Sequence, residues 1–460
     1  MNKQAKQVVV IGGGMAGMAA ASTLASKGIA VTLLEAAAHL GGRARSVAIE
    51  FNSQVTQLDN GQHIALGAYR ETLNLLATIG VQESDAFLRL PLNLELRNLD
   101  AQHSNQTAFK LAIPSYLPTP LNQLIGFLSC TGLSWGERIS VIRLMLQLKK
   151  SQYKLVADLS LSDFLQQNQQ SSNVITMLWE PLCLAALNTP IHIASSKVFL
   201  NVLKDTFRHN RNSDFLLPKR DLSQLFVQPI QQYLKSNNAK VVLNQRVKSI
   251  KATSNGYSVF TKEGAQKESI ANKNIAKLTQ FEASHVVIAM SPVRLRNVIA
   301  DLPKLDYIAE QTDSYDYQPI ITIYLQYASD TTLPKPMLGF VSGLSQWVFD
   351  RGALCGQNGL MAVIISAEGK HQQYTQDALA VMVAQELRDA FPQLAKPLWH
   401  KVIAEKRATF SCNVNLPRPA HVTPYPRLYL AGDYTYADYP ATIEGAVRSG
   451  VACADLVCNS

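Results

Sequence analysis

The sequence has few features of a disulfide-stabilised, metal-binding or membrane-spanning protein. Its 460 residues include six cysteines, scattered without a CxxC pair or a histidine at zinc-ligand spacing. It contains no uninterrupted apolar run of about 18 residues, so no transmembrane helix is predicted. We expect a cytoplasmic protein with reduced thiols and no metal, whose contact with membranes is at most peripheral, at the inner face of the cytoplasmic membrane.

Charged residues are also sparse, at 17% against 47% hydrophobic residues, which is typical of a globular chain. The formal net charge is +9, which favours acidic partners. However, the basic residues are dispersed and no nucleic-acid motif accompanies them, so nucleic acid is not an expected partner. The length exceeds one ordinary hydrophobic core, which predicts two domains.

The N-terminal segment has the pattern of a βαβ unit. Val8–Ile11 is typical of a buried parallel strand, Met15–Lys27 is rich in helix-forming alanine, and Val31–Leu34 predicts the next strand. A charged start followed by apolar residues imitates a signal peptide, but adjacent glycines interrupt the run. The segment therefore predicts the start of a folded domain.

Three glycines occupy the turn between that strand and helix. Gly12 allows a tight turn, Gly14 lets the backbone approach a pyrophosphate, and Gly17 lets the helix pack on the strand. The phosphates would then lie at the helix N-terminus. Glu35 follows at a strand end, where a carboxylate accepts hydrogen bonds from ribose hydroxyls and disfavours a 2′-phosphate. The pattern predicts FAD or NAD rather than NADP.

Two further segments favour FAD. In Leu40–Arg45, paired glycines permit close backbone approach, and two arginines can face a phosphate or the flavin edge. Near the C-terminus, Ala431–Thr435 offers another glycine and Asp433, which can bond the ribityl chain. Glu444–Ala446 begins a helix whose dipole favours the electron-rich pyrimidine end of a flavin.

Strand patterns return at His285–Ala289 and Leu428–Leu430, on either side of helical and mixed segments. We therefore predict an α/β fold with a Rossmann-like FAD-binding domain and a second, discontinuous α+β substrate domain. The FAD-binding domain would comprise residues 1–90, 211–295 and 402–460. The substrate domain would comprise residues 91–210 and 296–401.

Together these motifs resemble the flavin amine oxidase and phytoene desaturase superfamily, which brackets FAD with a βαβ motif, GGR, and a C-terminal AGD followed by EGA-x-x-SG. Here the last element is Glu444–Gly450. Leu58–His63, Gly67–Leu73 and Trp179–Thr189 resemble one branch, the squalene-associated desaturase-like family of hydroxysqualene dehydroxylases. The resemblance covers essentially the whole chain.

The resemblance implies an FAD-dependent oxidoreductase of squalene and hopanoid biosynthesis. Reduced FAD would give a hydride to an allylic carbon of hydroxysqualene, a small-molecule isoprenoid, while the hydroxyl leaves as water. A thirty-carbon substrate implies a long apolar tunnel. The electron donor stays open, because no second nucleotide-binding motif is evident.

The resemblance also implies the residues of the site. A hydroxide is a poor leaving group, so a proton donor is needed, and the polar candidates are Asp59, His63 and Glu180. Each has a structural alternative, namely capping a turn, packing in the core and anchoring a helix. The implied cofactor-binding residues are Gly12, Gly14, Met15, Ala16, Gly17, Glu35, Ala36, Gly42, Arg43, Gln62, His63, Val247, Gly432, Asp433, Thr442 and Ile443.

Other functions are open at this point. The C-terminal motif also resembles carotenoid-type desaturases, which remove hydride. A flavin amine oxidase would hold an amine between aromatic rings such as Tyr434, Tyr436 and Tyr439, and a non-catalytic electron-transfer module would lack an apolar tunnel. The basic amphipathic stretch Trp135–Lys150 suits either a membrane surface or ordinary packing.

Overall fold

The computed structural model describes residues 6–51, 54–99, 106–263 and 278–460. In these ranges the strands are β1 Gln7–Ile11, β2 Ala30–Leu34, β3 Ser46–Phe51, β4 Gln54–Asp59, β5 Ala65–Leu66, β6 Phe87–Leu90, β7 Asn93–Arg97, β8 Thr107–Ala112, β9 Phe215–Pro218, β10 Lys240–Val242, β11 Gln245–Ala252, β12 Tyr257–Glu263, β13 Leu278–Ala283, β14 His285–Ile288, β15 Tyr317–Gln326, β16 Met337–Phe340, β17 Trp347–Asp350, β18 Leu360–Ser366, β19 Trp399–Phe410 and β20 Leu428–Leu430.

The helices of the same ranges are α1 Met15–Ser26, α2 Arg70–Thr78, α3 Glu83–Ala86, α4 Leu121–Ser129, α5 Trp135–Lys150, α6 Leu161–Gln167, α7 Ser172–Val174, α8 Glu180–Leu187, α9 Ser196–Phe207, α10 Gln228–Ser236, α11 Leu295–Ile299, α12 Asp306–Asp313, α13 Arg351–Cys355, α14 Gln376–Ala390 and α15 Ile443–Asn459. Short π-helical turns precede α8 and α10.

A five-stranded parallel sheet has the order β10-β2-β1-β14-β20. After their first residues, Gln7 and His285, the central strands β1 and β14 are aliphatic and buried, because a parallel sheet is covered on both faces. Helices α1 and α15 pack against each other on one face, in a core that includes Val10, Met18 and Val447. The strands come from distant parts of the chain, which confirms the predicted α/β, Rossmann-like fold.

A second, seven-stranded sheet has the order β19-β15-β18-β17-β16-β7-β8. It is antiparallel except where β16 runs parallel to β7. Helix α14 supplies Leu379, Val383 and Leu387 to its core. Helices α4 to α9 lie in the chain between β8 and β9, so this part of the molecule mixes helices with a largely antiparallel sheet.

Strand β19 bears on the predicted domain boundary at residue 402. It pairs with β15 from Trp399 to Phe410, so one continuous strand runs across that position. Apart from this boundary, the division into two domains stays a prediction. We propose moving this boundary beyond Phe410, because a paired strand belongs with its sheet.

Helix α5 spans the predicted amphipathic stretch, and its buried side chains are Val141, Leu144, Met145 and Leu148. Helical spacing in the sequence predicts one apolar face with Ile139, Ile142 and Leu146, but Ile139 and Leu146 are exposed. Over the residues that the structure describes, no helix combines the length and apolar character needed to cross a membrane.

Candidate active site

A long cavity of about 700 Å³ lies at the carboxyl edge of the parallel sheet. Its walls include the turns that follow β1, β2, β14 and β20, together with strands β11, β15 and β19. This is the edge at which open α/β sheets bind their ligands, because the loops there diverge from neighbouring strands.

The glycine turn after β1 has three different local constraints. A Cβ on Gly12 would lie 2.6 Å from the carbonyl oxygen of Ala289, and one on Gly17 would lie 1.8 Å from that of Gly12. A Cβ on Gly14 would meet no protein atom within 4 Å, and Gly14 lines the cavity. The first and third glycines therefore serve packing, while the second leaves the backbone open to a ligand.

The N-terminus of α1 has the features of an anion-binding site. Gly14 is its N-cap and provides no side-chain acceptor, so the first-turn N–H groups have no side-chain partner. Glu35, just after β2, accepts hydrogen bonds from the backbone N–H of Gly13 at 2.6 Å and of Ala37 at 2.7 Å. These bonds fix a carboxylate in the cavity wall, one β-strand away from the helix N-terminus.

An ion pair between a half-exposed arginine and a buried aspartate connects the two ends of the chain at the cavity. Arg43 Nη2 donates to Asp433 Oδ2 at 2.6 Å, and Arg43 Nη1 donates to the carbonyl oxygen of Ala408 at 2.6 Å. The Asp433 carboxylate raises the pKa of the Arg43 guanidinium further above its ordinary value. The pair joins residues 390 positions apart, so it holds the GGR and AGD segments next to each other in the wall of one cavity.

A second cavity of about 200 Å³ adjoins the first. The residues common to both walls are Arg43, His63, Glu405, Ala408, Ala441, Thr442 and Ile443. Its remaining walls are mostly apolar, with Phe87, Phe226, Trp347 and Phe349 among them. These large rings keep the cavity below the roughly 300–1,000 Å³ of common ligand sites, and well short of the long tunnel expected from the resemblance.

A sequence model described as flavin containing amine oxidoreductase matches residues 15–458. The chain belongs to this family. The match begins at Met15, the first residue of α1, and takes in the second cavity, most of the walls of the first cavity and α15 up to residue 458.

Several other proteins are similar to this chain over nearly their whole length. The hydroxysqualene dehydroxylase of Rhodopseudomonas palustris is 29% identical, with 98% of both chains covered. That of Zymomonas mobilis is 26% identical, covering 97% of this chain and 98% of the other. The zeta-carotene desaturase of Synechocystis is 21% identical, covering 98% and 97% respectively.

Solved structures show the same fold. An oxidoreductase from Methanosarcina mazei superimposes with a TM-score of 0.72 at 13% identity, over 98% of this chain and 100% of the other. Putrescine oxidase bound to putrescine gives 0.69 at 15% identity, over 99% of both chains.

The geometry fits FAD, the cofactor of this family, and the chain is an FAD-dependent oxidoreductase. The open backbone at Gly14, the uncapped helix and the Glu35 carboxylate suit a pyrophosphate and a ribose. Most residues predicted to bind the cofactor line the first cavity: Gly12, Gly14, Met15, Ala16, Glu35, Ala36, Gly42, Arg43, His63, Val247, Gly432, Asp433, Thr442 and Ile443. Gly17 instead packs the helix on the strand, and Gln62 lines the second cavity.

The three predicted proton donors lie in different places. Asp59 is buried outside both cavity walls, where its carboxylate accepts from Arg351 at 2.9 Å and from the Leu222 backbone at 2.8 Å. Glu180 begins α8 and also lies outside both walls, although later residues of that helix line the second cavity. Only His63 lies where the two cavities meet.

The ring of His63 has a defined orientation. Its Nδ1 lies 2.6 Å from the carbonyl oxygen of Gly61, so Nδ1–H donates and Nε2 carries the lone pair. Burial lowers the pKa of this imidazole below its ordinary value. The lowered pKa favours the uncharged ring, which accepts a hydrogen bond through Nε2, and it makes the imidazolium form a better proton donor than an exposed one.

Some wall residues carried no signal in the sequence. Glu405 on β19 lines both cavities, and Tyr317 and Phe410 line the first. They reach the site because β15 pairs with β19, which begins 82 residues after the start of β15. Tyr69 lines the second cavity, and burial raises the pKa of its phenol, which keeps the O–H as a donor. It lies inside the family-like Gly67–Leu73 segment.

Proposed function

We propose that this chain reduces hydroxysqualene to squalene in squalene and hopanoid biosynthesis. The observation that carries the proposal is the mostly apolar second cavity. It meets the first cavity, where FAD is expected to bind, at His63. The named hydroxysqualene dehydroxylases match nearly the full length, which supports the same substrate. The substrate is then a small isoprenoid whose apolar chain is bound by dispersion and burial.

The reaction replaces an allylic C–OH bond with a C–H bond. Reduced FAD, when bound, supplies the hydride, which brings both electrons. The leaving hydroxide takes one proton and departs as water, so a proton donor must lie beside the substrate oxygen. Residues of the glycine turn, Glu35, Arg43 and Asp433 would hold the cofactor.

His63 is the proposed proton donor, because it alone of the three predicted candidates lies at the junction of the cavities. In its neutral form Nε2 accepts a hydrogen bond from the substrate hydroxyl and orients it. In its protonated form Nε2–H donates to the leaving oxygen. Since burial lowers the pKa of His63, the protonated fraction grows as the pH falls below neutrality.

The second cavity is smaller than a thirty-carbon chain requires, so only part of the substrate fits its present walls. We propose that the reactive allylic end occupies this cavity. The aromatic side chains, Phe226 and Trp347 among them, would have to move for the rest of the chain to follow.

The test uses FAD-loaded protein reduced under anaerobic conditions and mixed with hydroxysqualene. We expect squalene by mass spectrometry, with matching recovery of oxidised-flavin absorbance. His63→Gln should retain FAD but slow the single-turnover rate by about 100-fold, the lower end for loss of a general acid. The wild-type rate should rise as pH falls from 8 to 6, and His63→Gln should flatten that profile. Absence of squalene from reduced, FAD-loaded protein would rule the proposal out.

A carotenoid-type desaturase is the second candidate, because the zeta-carotene desaturase of Synechocystis also matches nearly the whole chain. That reaction would start from oxidised FAD and remove hydride. Oxidised protein incubated with phytoene or zeta-carotene distinguishes the two, since a desaturase lengthens the conjugated polyene and changes its absorption spectrum. We expect no spectral change.

A flavin amine oxidase has less support from the described residues. The Arg448 guanidinium lies 4.3 Å from the ring centre of Tyr439 and 5.9 Å from that of Tyr436. A cation of the protein itself therefore lies on the rings that an amine would need. The second cavity is well short of the long tunnel whose presence would exclude an electron-transfer module, so that alternative is decided by the substrate assay.

A further inference from the structure

Helix α4 exposes an apolar face. Leu121, Leu124, Ile125 and Leu128 recur at intervals of three, one and three residues, and their side chains are 36% to 46% exposed. The opposite face, which includes Phe127, is buried. A surface helix ordinarily directs its apolar stripe into the core, so an outward stripe of this kind requires a partner.

The exposed face continues onto the start of α5. Trp135 is 65% exposed, and Ile139 follows one turn later on the same side. The guanidinium of Arg138 lies 4.6 Å from the Trp135 ring centre and donates to the carbonyl oxygen of Leu128 at 2.8 Å. This arginine holds the two helices so that their apolar residues are adjacent. The apolar patch consists of Leu121, Leu124, Ile125, Leu128, Trp135 and Ile139.

Positive charge surrounds the apolar patch. Residues 110–156 contain six basic side chains and one acidic side chain. Arg143, Lys149 and Lys150 are exposed on α5. The one carboxylate, Glu137, accepts hydrogen bonds from Ser134 and Ser171, so it is engaged at the helix N-terminus. The surroundings therefore present a cationic rim.

We propose that the apolar patch docks on an anionic lipid bilayer. An apolar stripe with an aromatic edge and basic flanks matches the interfacial region of such a bilayer, where acyl chains meet charged headgroups. A second copy of the chain fits less well, because a two-fold contact would bring two cationic rims together. The proposal does not depend on which isoprenoid the enzyme reduces. The sequence suggested α5 as the helix that faces a membrane, whereas most residues of the apolar patch lie on α4.

The test measures flotation of FAD-loaded protein with phosphatidylcholine vesicles, with or without phosphatidylglycerol. We expect binding that needs phosphatidylglycerol and weakens with salt. The variant Leu124→Ser/Ile125→Ser/Leu128→Ser should bind at least about 10-fold more weakly. Arg143→Gln/Lys149→Gln/Lys150→Gln should lose up to about fivefold per basic residue.

A matched control is Val381→Ser/Leu398→Ser, which removes hydrophobic side chains that are 65% and 69% exposed elsewhere. It should bind vesicles like the wild type. Circular dichroism and flavin absorbance establish that each variant is folded and holds FAD. If wild-type protein ignores anionic vesicles, or if the apolar-patch variant binds as well as the control, the proposal fails. A dimer that the apolar-patch variant converts to monomer would also overturn it, in favour of a second copy.

Discussion

The parallel sheet and the seven-stranded sheet are specified by the sequence in different ways. On the parallel sheet, the residues expected to hold the cofactor are local in the sequence: a turn of six consecutive residues, Gly12 to Gly17, and a carboxylate one strand later. The seven-stranded sheet forms the other side of the site through side chains that have no local motif, such as Glu405 and Trp347. The residues expected to bind the cofactor are therefore close together in the sequence. Those expected to contact the substrate come together only through long-range strand pairing.

A buried ion pair joins Asp59, at the end of β4, to Arg351, which begins α13 just after β17 of the seven-stranded sheet, and it gives the largest predicted effect. Arg351 Nη1 lies 2.9 Å from Asp59 Oδ2, with both side chains 2% exposed. Arg351→Met would leave the carboxylate buried without its cation. We expect the free energy of unfolding to fall by about 3 to 5 kcal/mol, measured by chemical denaturation.

The exposed ion pair between Lys27 and Asp455 is the control. Its N–O distance of 2.8 Å is nearly the same, but its side chains are 44% and 52% exposed. Lys27→Met should change stability by less than about 1 kcal/mol. Equal losses for the two variants would mean that burial of the Arg351–Asp59 pair does not raise the cost of losing it.

This contact also shows what the sequence could and could not predict. The strand, turn and helix around Gly12 to Gly17 are contiguous, so local spacing was enough to predict a cofactor site there and the βαβ unit that the structure shows. Asp59 has equally suggestive neighbours, yet its partner Arg351 is 292 residues away. Nothing local distinguishes a carboxylate held by a buried arginine from one that faces a substrate.

The exposed surface of the helices was likewise only partly predictable from the sequence. The sequence predicted helix α5 with its observed bounds, because helical periodicity is a local property. It did not indicate that the apolar stripe of α4 faces solvent, since periodicity shows that a face is apolar but not what covers it. Which residues wall the second cavity was equally hidden, because strand order decides it.

Within the parallel-sheet region, two glycine substitutions should separate packing from binding. In Gly17→Ala, the new Cβ would lie 1.8 Å from the backbone oxygen of Gly12, so we expect a loss of about 3 kcal/mol in stability. In Gly14→Ala, the Cβ would meet no protein atom within 4 Å. Stability without FAD should then change by less than about 0.5 kcal/mol, while FAD affinity falls at least about tenfold.

Titration of FAD into each variant, followed by flavin fluorescence, measures the affinity, and thermal unfolding of the FAD-free protein measures the stability. The distinction depends on Gly14 facing the cofactor. If Gly14→Ala destabilised the FAD-free protein as much as Gly17→Ala, the two glycines would share a packing role.

The smallest predicted effect is an acid sensitivity specific to the parallel sheet. His285 in β14 is buried, with Ser284 Oγ and Ser460 Oγ each 2.8 Å from its ring nitrogens. Burial, aided by the nearby charges of Lys6 and Arg427, lowers its pKa to about 4. The unfolded chain takes up this proton at about pH 6.5, so the stabilisation is complete above that pH and falls as the pH drops towards 4.

We expect His285 to account for about 1 kcal/mol of stability lost between pH 7 and pH 5, allowing for partial solvent screening. His285→Gln should flatten the pH dependence by that amount. All four tryptophans lie outside the parallel sheet, so tryptophan fluorescence follows the rest of the molecule while FAD release follows the sheet. If acid releases FAD before tryptophan fluorescence changes, and His285→Gln removes that lag, the two regions differ in stability as well as in how the sequence specifies them. An unaltered lag in His285→Gln would place the acid-sensitive group elsewhere.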